Sequence, residues 1–298
     1  MKLFAPAYYK NFKCIAERCR HSCCIGWEID VDKEALQKYE DAKEAYGDSI
    51  RKSISHDGAP HFCLDDKERC PHLDETGLCR IITAFGEGYL CEICREHPRF
   101  YHDTSRGREV GLGMACEEAC RLILSTEEFS HIEEIGESEG DLRVEAFDPL
   151  PERERIYRIL SDASLPYPKR LTRLSRTYGV SLSAHTDKEW RELLSSLEYL
   201  DDGHRALFSR YSSKKGGKTD TDAPLLRALG YFIYRHVSSA ESMEELRCAL
   251  GFSLFCERLL ASMVREGGDV LDCARLLSEE IEYSEENTQA IKDEFWFL

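Results

Sequence analysis

The chain has 298 residues, of which 42% are hydrophobic and 32% charged, and it carries 14 cysteines and a formal net charge of −16. This length and composition are those of a folded protein that can bury an apolar core without disulfide bonds. The negative charge repels phosphate backbones, so nucleic acid is not expected as a partner, whereas a basic protein would be attracted. Solubility alone would also explain the charge.

The first residues, MKLFAPAYYKNFKC, lack the continuous apolar segment of a signal peptide. No stretch approaches the roughly eighteen apolar residues of a membrane span. We therefore expect no membrane association and a cytoplasmic location. Thiols stay reduced in that compartment, so the cysteines predict metal ligation or redox chemistry rather than structural disulfides.

Cysteine content divides the chain, because eleven of the cysteines lie between Cys14 and Cys120. The sequence predicts a Cys-rich metal-binding domain at 1–125, an acidic connecting segment at 126–150 and a helical domain at 151–298. The expected fold class is mainly α. A metal-organised N-terminal region with little regular structure is followed by an all-α helical bundle.

Few regular elements are predicted in the first part. One exposed helix begins at Asp32 and ends at Gly47, and a second covers CEEACRLILS near residue 120. In the connecting segment, DLRVEAF is a weak candidate for a short strand. Elsewhere the periodicity is poor, as expected where metal bonds rather than a core hold the backbone.

The second part shows helical periodicity throughout. SSKKGGKTDTD, which contains Gly216 and Gly217, predicts a mobile loop between two helices. Cys248, Cys256 and Cys273 fit core packing, because free cysteine is among the most buried residue types. The predicted helices are PERERIYRILSDA, DKEWRELLSSLEYL with Asp187 as N-cap, APLLRALGYFIYRHV, SMEELRCALGFSLFCERLLASMVRE, GDVLDCARLLSEEIEY and SEENTQAIKDEFWF.

The cysteine spacing is the strongest chemical signal in the sequence. Thiolates close in sequence, joined by later pairs after a loop, assemble both zinc sites and iron–sulfur clusters. Six histidines between His21 and His102 could add imidazole ligands, but the thiolates already exceed the four that one site needs. The spacing is Cys14-x4-Cys19-x3-Cys23-Cys24, then Cys63, Cys70-x8-Cys79, Cys91-x2-Cys94 and Cys116-x3-Cys120.

The adjacent pair Cys23 and Cys24 leaves three alternatives open. Neighbouring side chains in extended chain point to opposite sides, so both rarely bind one ion. Either the pair serves two metal centres, or one thiol binds while the other packs, or a bent backbone lets a larger cluster use both.

Other catalytic motifs do not match. The C-x3-C-x2-C pattern of enzymes that cleave S-adenosylmethionine begins at Cys19, but position 26 is Gly26. Cys91-x2-Cys94 lacks the βαβ context of a thioredoxin-like motif. The sequence has no P-loop, no H-E-x-x-H and no G-x-S-x-G.

Several blocks together resemble the flagellin lysine-N-methylase family, within the broader CxxCxxCC group of zinc- or iron-chelating proteins. The opening FKCIAERCRHSCCIGWEIDVDKEALQKY ends its cysteine run in Cys-Cys followed by Gly-Trp and an Asp-led helix. CPHLDETGLCRI, CREHPRF and GLGMACEEACRLIL match the later blocks. The resemblance covers about residues 12 to 125, and beyond them only the helical character agrees.

The resemblance implies a metal centre held by cysteines at motif positions. The implied metal is an iron–sulfur cluster, expected as [4Fe-4S], with zinc as the alternative. Cys63, Cys91 and Cys120 lie outside the motif, and the sequence does not distinguish which four ligands bind. The motif positions are Cys14, Cys19, Cys23, Cys24, Cys70, Cys79, Cys94 and Cys116.

The resemblance also implies methyl transfer from S-adenosylmethionine to lysine ε-amines of a protein substrate, with flagellin as the candidate. That chemistry needs a deprotonated amine, so a base or an aromatic pocket must lower the lysine pKa. Tyr89 and Tyr101 could line such a lysine site or simply pack. Arg99 could bind a carboxylate or form a buried ion pair.

Two non-enzymatic alternatives stay open. The first is a zinc- or iron-binding module whose helical domain docks other proteins. The second is a redox or metal-handling protein, in which surplus thiols such as Cys91 and Cys120 would be the labile ones. Binding of the methyl donor distinguishes these classes from the methyltransferase.

Overall fold

A computed structural model describes residues 1–43, 45–142, 146–214 and 222–296. Its strands are β1 (Lys2–Pro6), β2 (Ile54–Ser55), β3 (His61–Phe62), β4 (Arg99–Thr104), β5 (Gly107–Leu112) and β6 (Ile132–Glu137). Its first helices are α1 (Lys33–Asp41), α2 (Ala45–Lys52), α3 (Arg80–Phe85), α4 (Glu92–Glu96) and α5 (Glu117–Ser125). The later helices are α6 (Leu150–Leu160), α7 (Tyr167–Tyr178), α8 (Asp187–Ser196), α9 (Asp202–Phe208), α10 (Asp222–Val237), α11 (Met243–Arg265), α12 (Val270–Leu277) and α13 (Glu285–Asp293).

The chain forms two compact units. Unit 1 comprises Met1–Phe12 and Tyr101–Leu298, and unit 2 comprises Lys13–Phe100. These units differ from the division predicted at 1–125, 126–150 and 151–298, since β1 pairs with strands that lie beyond residue 100. Unit 2 is thus an insertion in the sequence of unit 1.

A four-stranded sheet organises the first half of unit 1, with strand order β4-β5-β1-β6. The interior strand β1 runs parallel to β5 and antiparallel to β6. Gly107 has φ +149, and a Cβ at this position would lie 2.4 Å from the Lys2 carbonyl oxygen. A side chain at residue 107 would therefore push β1 away from the start of β5.

Helices dominate the rest of unit 1. The long helix α11 is buried along most of its length and packs against α10. Trp190 of α8 stacks on Phe255 of α11, with ring centroids 4.2 Å apart. No helix in the described ranges has the length and apolarity needed to cross a membrane. The predominance of helices among the elements confirms the prediction of a mainly α fold.

The expectation of little regular structure in the N-terminal region is not confirmed. β1, β4 and β5 and the helices α1 to α5 all lie before residue 126. The predicted connecting segment contains β6, so it contributes a strand rather than only a linker. Short strands were missed because each is stabilised by a partner far away in sequence, which local patterns do not reveal.

Helix boundaries differ from the sequence predictions at two places. Asp32 caps α1 as predicted, but the chain leaves α1 after Asp41 and continues as the separate helix α2. α1 is only partly exposed, because Tyr39 is fully buried. The N-cap of α8 is Thr186 rather than Asp187, since Thr186 and Glu189 form a reciprocal capping box. The predicted loop at Gly216 and Gly217 lies outside the described residues.

Candidate metal centre and a polar cavity

Two short backbone pairings bring separated cysteines of unit 2 together. Ile25 and Arg69 form an antiparallel bridge, and the backbone N–H of Cys70 donates to the Cys24 carbonyl at 2.8 Å. A second bridge pairs Leu73 with Cys79 across the turn that follows Cys70. Cys24, Cys70 and Cys79 therefore lie on neighbouring backbone segments although 55 positions separate the first from the last.

The C-x-x-C sequence of Cys91 and Cys94 lies at the start of α4. Cys91 is the N-cap residue of this helix, and its side chain is hydrogen bonded to that of Cys94. Asp32 fixes the position of the helix, because its Oδ2 accepts from the Glu92 N–H at 2.7 Å while its Oδ1 caps α1. The second thiol pair is thus held by α1 as well as by its own helix.

Five cysteines of unit 2 lie together in a group that we call the thiol cluster. Cys70 and Cys91 belong to the apolar core of unit 2, and the other three pack against that core. The cluster comprises Cys24, Cys70, Cys79, Cys91 and Cys94.

The thiols of the cluster differ in acidity. A hydrogen bond with Cys23 lowers the pKa of Cys24 to about 7 against the effect of burial. Burial raises the pKa of Cys70 to about 12, and burial also raises the pKa of Cys79. The hydrogen bond within the C-x-x-C pair lowers the pKa of Cys91 and raises that of Cys94. Negative charge on one thiol raises the pKa of its neighbours, which is the electrostatic sign of a crowded thiol group.

Aromatic side chains enclose one side of the cluster. The Tyr39 hydroxyl lies 3.3 Å from the Cys91 sulfur and donates to the Tyr89 carbonyl at 2.7 Å. The Tyr89 ring stacks on Phe85 at 4.8 Å between centroids, so Tyr89 packs beside the cluster. This wall limits the access of water to Cys91, which is 1% exposed.

His72, the most buried histidine of unit 2, is not available as a metal ligand in this arrangement. The Ser53 hydroxyl donates to the Ile50 carbonyl at 2.7 Å, so its oxygen accepts from His72 Nε2–H at 2.9 Å. The other ring nitrogen, Nδ1, then accepts from the Tyr46 hydroxyl at 2.8 Å. Burial lowers the pKa of His72 to about 4, which keeps this ring neutral.

The remaining predicted ligands are less buried. Cys14 is exposed, and its sulfur accepts from the Ala16 N–H at 3.4 Å. Cys19 is half-buried, with its thiol directed to the His21 carbonyl at 3.2 Å. Cys116 is the N-cap residue of α5 in unit 1. A ligand role for these three cysteines stays a prediction.

The Cys23–Cys24 pair adopts a bent backbone. The Ile25 N–H donates to the Ser22 carbonyl at 3.1 Å, which closes a turn over the pair. This turn lets the thiols of Cys23 and Cys24 form a hydrogen bond with each other instead of pointing to opposite sides. Cys24 packs against the core of unit 2 whereas Cys23 is exposed, and the choice among the three alternatives for this pair stays a prediction.

The chemistry of the thiol cluster fits a thiophilic metal. Thiolate sulfur is the ligand that zinc and iron–sulfur clusters share, and four thiolates complete either site. Among the described residues no three cysteine, histidine or carboxylate side chains converge to metal-ligand distances. The cluster supplies the right donor type and number, but no three of its sulfur atoms converge on a common point as the ligands of one ion would.

Sequence reasoning left Cys91 outside the predicted ligands because it falls outside the family motif. The structure places it at the most enclosed point of the thiol cluster, beside Cys94. The signal that could have found it is the C-x-x-C spacing itself, which at a helix N-terminus brings two thiols together.

Unit 1 contains a separate polar cavity of ≈ 250 Å³. Aromatic rings of Tyr101 and Phe147 line it together with the carboxylates of Asp103 and Asp148. Asp103 forms a two-point ion pair with Arg108, at 2.7 and 3.1 Å. Asp148 accepts from the Ser105 hydroxyl at 2.8 Å and has no cationic partner among the described residues. The cavity thus combines aromatic surface with one carboxylate that lacks a countercharge.

His102 also lines this cavity. Burial lowers the pKa of His102 to about 4, with nearby positive groups acting in the same direction and Glu109 opposing them. The imidazole is therefore neutral near pH 7 and adds no positive charge to the cavity.

Comparisons with known proteins identify relatives of this chain. It is 31% identical over 134 residues to the lysine-N-methylases of Salmonella choleraesuis and Salmonella typhimurium, which covers 40% of this chain and 32% of each relative. It is 32% identical over 128 residues to the flagellar biosynthetic protein FliU of Salmonella muenchen, which covers 40% of this chain and 75% of that protein. The chain thus spans about a third of the length of the lysine-N-methylases. No family model and no solved structure matches the chain.

Proposed function

From the premise that this chain belongs to the flagellin lysine-N-methylase family, we propose that it is a protein-lysine N-methyltransferase that uses S-adenosylmethionine. Methyl transfer to lysine is supported by the names of the relatives, and the methyl donor is the general cofactor of such chemistry. The observation that carries the proposal is the match to FliU over 75% of that protein's length. The enclosed thiol cluster supports the metal centre that the family resemblance implies.

The proposed metal ligands are thiolates of the thiol cluster. Cys24 and Cys70 lie on paired backbone, and Cys91 and Cys94 lie on the first turn of α4, so these four combine a fixed strand pair with a fixed helix. Cys79 is the fifth donor, available in place of any of them. A bound [4Fe-4S] cluster would supply redox chemistry to the enzyme, whereas zinc would supply charge and structural stability.

The proposed site for the acceptor lysine is the polar cavity of unit 1. Tyr101 and Phe147 provide faces along which the aliphatic stem of lysine can pack, and Asp148 provides a charge partner for the ammonium. During transfer the amine nitrogen forms a bond to the methyl carbon, the carbon–sulfur bond of the donor breaks, and the electron pair leaves with sulfur. The ammonium must lose a proton beforehand, which Asp148 can accept and pass to solvent, because only the neutral amine has a lone pair.

The proposed protein substrate is flagellin or another lysine-bearing protein. One relative is a flagellar biosynthetic protein, which connects the family to this organelle. The net charge of −16 attracts a lysine-rich surface at long range.

The first experiment measures iron, zinc and acid-labile sulfide in protein purified without oxygen, together with its visible absorption spectrum. Iron and sulfide at about four per chain support the [4Fe-4S] assignment. Zinc without iron or sulfide contradicts that assignment and favours a structural metal-binding module that docks other proteins.

The second experiment tests methyl transfer directly. Full-length protein is incubated with radiolabelled S-adenosylmethionine and flagellin, and incorporated label is mapped to lysine by mass spectrometry. Tyr101→Ala and Asp148→Asn should each reduce incorporation, whereas Tyr199→Phe on unit 1, away from the cavity, should not. Absence of labelled lysine with wild-type, metal-loaded protein would refute the proposed activity.

A further inference from the structure

The outward face of α7 carries a concentration of positive charge that the proposed function does not use. No acidic residue occurs between positions 163 and 186, although the whole chain has 56. Within that stretch Lys169, Arg173 and Arg176 are all exposed. The remainder of the protein is strongly acidic, so this face has the opposite sign from the molecule as a whole.

The fold of α7 explains why these residues share one face. Tyr167, Leu174 and Tyr178 are buried and fix the inward side of the helix. Lys169, Arg173 and Arg176 follow at intervals of four and three residues, which places them in one row on the opposite side. The row is held by packing of the buried side rather than by contacts of its own cations.

A shallow groove of ≈ 370 Å³ runs along this row. Its lining adds Leu165, Thr172 and Thr177 to the three cations. The two threonine hydroxyls donate to backbone carbonyls of α7, at 2.9 and 2.8 Å, so the groove offers a ligand positive charge and a small apolar contact. We call it the basic groove.

Most of the positive charge in the basic groove is not neutralised within the protein. Arg173 is paired with Asp162 at 3.0 Å, which also orients its guanidinium. Lys169 and Arg176 have no acidic partner among the described residues. Water therefore solvates these two charges. Because they are exposed, the carboxylates of a ligand would replace that water at little desolvation cost.

We propose that the basic groove binds an extended acidic segment of a partner protein. Lys169 and Arg176 are seven residues apart, or about 10 Å along the helix axis. Alternate side chains of an extended peptide recur every ~7 Å, whereas the cations of the row are about 6 and 4.5 Å apart along the axis. The long, flexible cation side chains can spread to reach carboxylates at alternate positions. The guanidinium groups of Arg173 and Arg176 fit carboxylates by two-point hydrogen bonding.

Charge favours a short acidic peptide over a nucleic acid as the occupant. A long polyphosphate would extend past the row onto surface that carries most of the net charge of −16. A segment with two or three carboxylates ends within the groove. The groove does not depend on methyltransferase activity, and either proposal can fail without the other.

The test measures binding of a dye-labelled peptide with glutamate at alternate positions by fluorescence anisotropy. A peptide with glutamine at those positions and an oligothymidylate of similar length serve as comparison ligands. The protein variants are Lys169→Gln/Arg176→Gln and, as a control with the same change of net charge, Lys10→Gln/Lys188→Gln. The control lysines are exposed and lie on other surfaces of unit 1, each paired with a glutamate.

The acidic peptide should bind wild-type and control proteins alike and lose about tenfold in affinity with Lys169→Gln/Arg176→Gln. The affinity should also fall as salt is raised. Equal binding of the glutamine peptide, or an equal loss in both variants, would overturn the proposal. If the oligothymidylate binds more tightly than the acidic peptide, and Lys169→Gln/Arg176→Gln abolishes that binding, the groove would be assigned to nucleic acid instead. Circular dichroism confirms that the variants, both on exposed positions, are folded.

Discussion

Removing the charge of Glu109 should strongly destabilise unit 1. Glu109 is fully buried on β5, where it pairs with Arg153 of α6 through bonds of 2.5 and 2.8 Å. Arg106 donates to the same carboxylate at 2.6 Å. In Glu109→Gln the Arg153 guanidinium, which is 1% exposed, would stay buried without an anion.

The size of the effect follows from the burial of the pair. Breaking a buried ion pair on one side costs about 3–5 kcal/mol, because the remaining charge has lost its compensation. For a chain of this size that corresponds to a fall in Tm of about 6–20 °C. Glu134→Gln is the control, since it removes an exposed pair with Lys2 in the same sheet and should cost no more than about 1 kcal/mol.

The destabilisation should also depend on pH. Burial opposes the charge of Glu109, but the hydrogen bonds and charge of Arg153 outweigh it and lower the pKa of this carboxyl. A carboxyl whose pKa is lower in the folded state stabilises fully above its unfolded pKa, and this stabilisation is lost as pH falls through the folded value. The Tm difference between wild type and Glu109→Gln should thus narrow on acidification below about pH 4.

Differential scanning calorimetry or near-ultraviolet circular dichroism between pH 3 and 8 provides the measurement. A double variant, Glu109→Met/Arg153→Met, removes both charges and should recover most of the loss. If Glu109→Gln melts within about 2 °C of the Glu134→Gln control at neutral pH, the buried ion pair stabilises the fold by less than predicted. If the Tm difference between wild type and Glu109→Gln stays constant on acidification, the destabilisation does not arise from the charge of Glu109.

Three further predictions follow from other sites. Cys91→Ser should lower the iron or zinc retained per chain by about half or more, measured by plasma emission, whereas the exposed Cys63→Ser should leave it unchanged. Gly113→Ala should destabilise by about 1–3 kcal/mol in chemical denaturation, because its Cβ would lie 2.0 Å from the Tyr283 hydroxyl, and adding Tyr283→Phe should restore part of the loss. Burial raises the pKa of Glu257 to about 7, so the fold loses stability as pH rises from the unfolded pKa near 4.5 to about 7, where the loss levels off; Glu257→Gln should be about 3 kcal/mol more stable than wild type at pH 8 and equal to it near pH 4. Equal metal content in the two cysteine variants would contradict the first prediction. No recovery of stability in Gly113→Ala/Tyr283→Phe would contradict the second, and a pH-independent gain in stability with Glu257→Gln would contradict the third.

Local sequence signals were sufficient for the long helices. α11 was predicted from apolar residues at helical spacing after a serine, and Ser242 caps it by accepting from the Glu245 N–H. The misplaced cap of α8 shows the limit of a single-residue signal. Asp187 is a common capping residue, but the T-x-x-E pattern of Thr186 and Glu189 satisfies two backbone donors and therefore prevails.

The sequence predicted only part of the thiol cluster, and the metal chemistry of these cysteines stays a prediction. The number and spacing of cysteines predicted thiolate ligation, and four of the motif positions, Cys24, Cys70, Cys79 and Cys94, do lie together. Motif matching could not identify Cys91, since its place depends on how α1 holds α4 through Asp32. The sequence also did not predict the aromatic side chains around Tyr39, because α1 appeared polar enough to be solvent-exposed.

The position of β1 has a consequence for how the chain folds during synthesis. About 100 residues separate β1 from its parallel partner β5. At ~5–20 residues per second the ribosome leaves β1 without a partner for ~5–20 s. Unit 2 is synthesised entirely within that interval, and its pairings are local to it. The Cys-rich insertion can therefore fold before the sheet that flanks it in sequence can close.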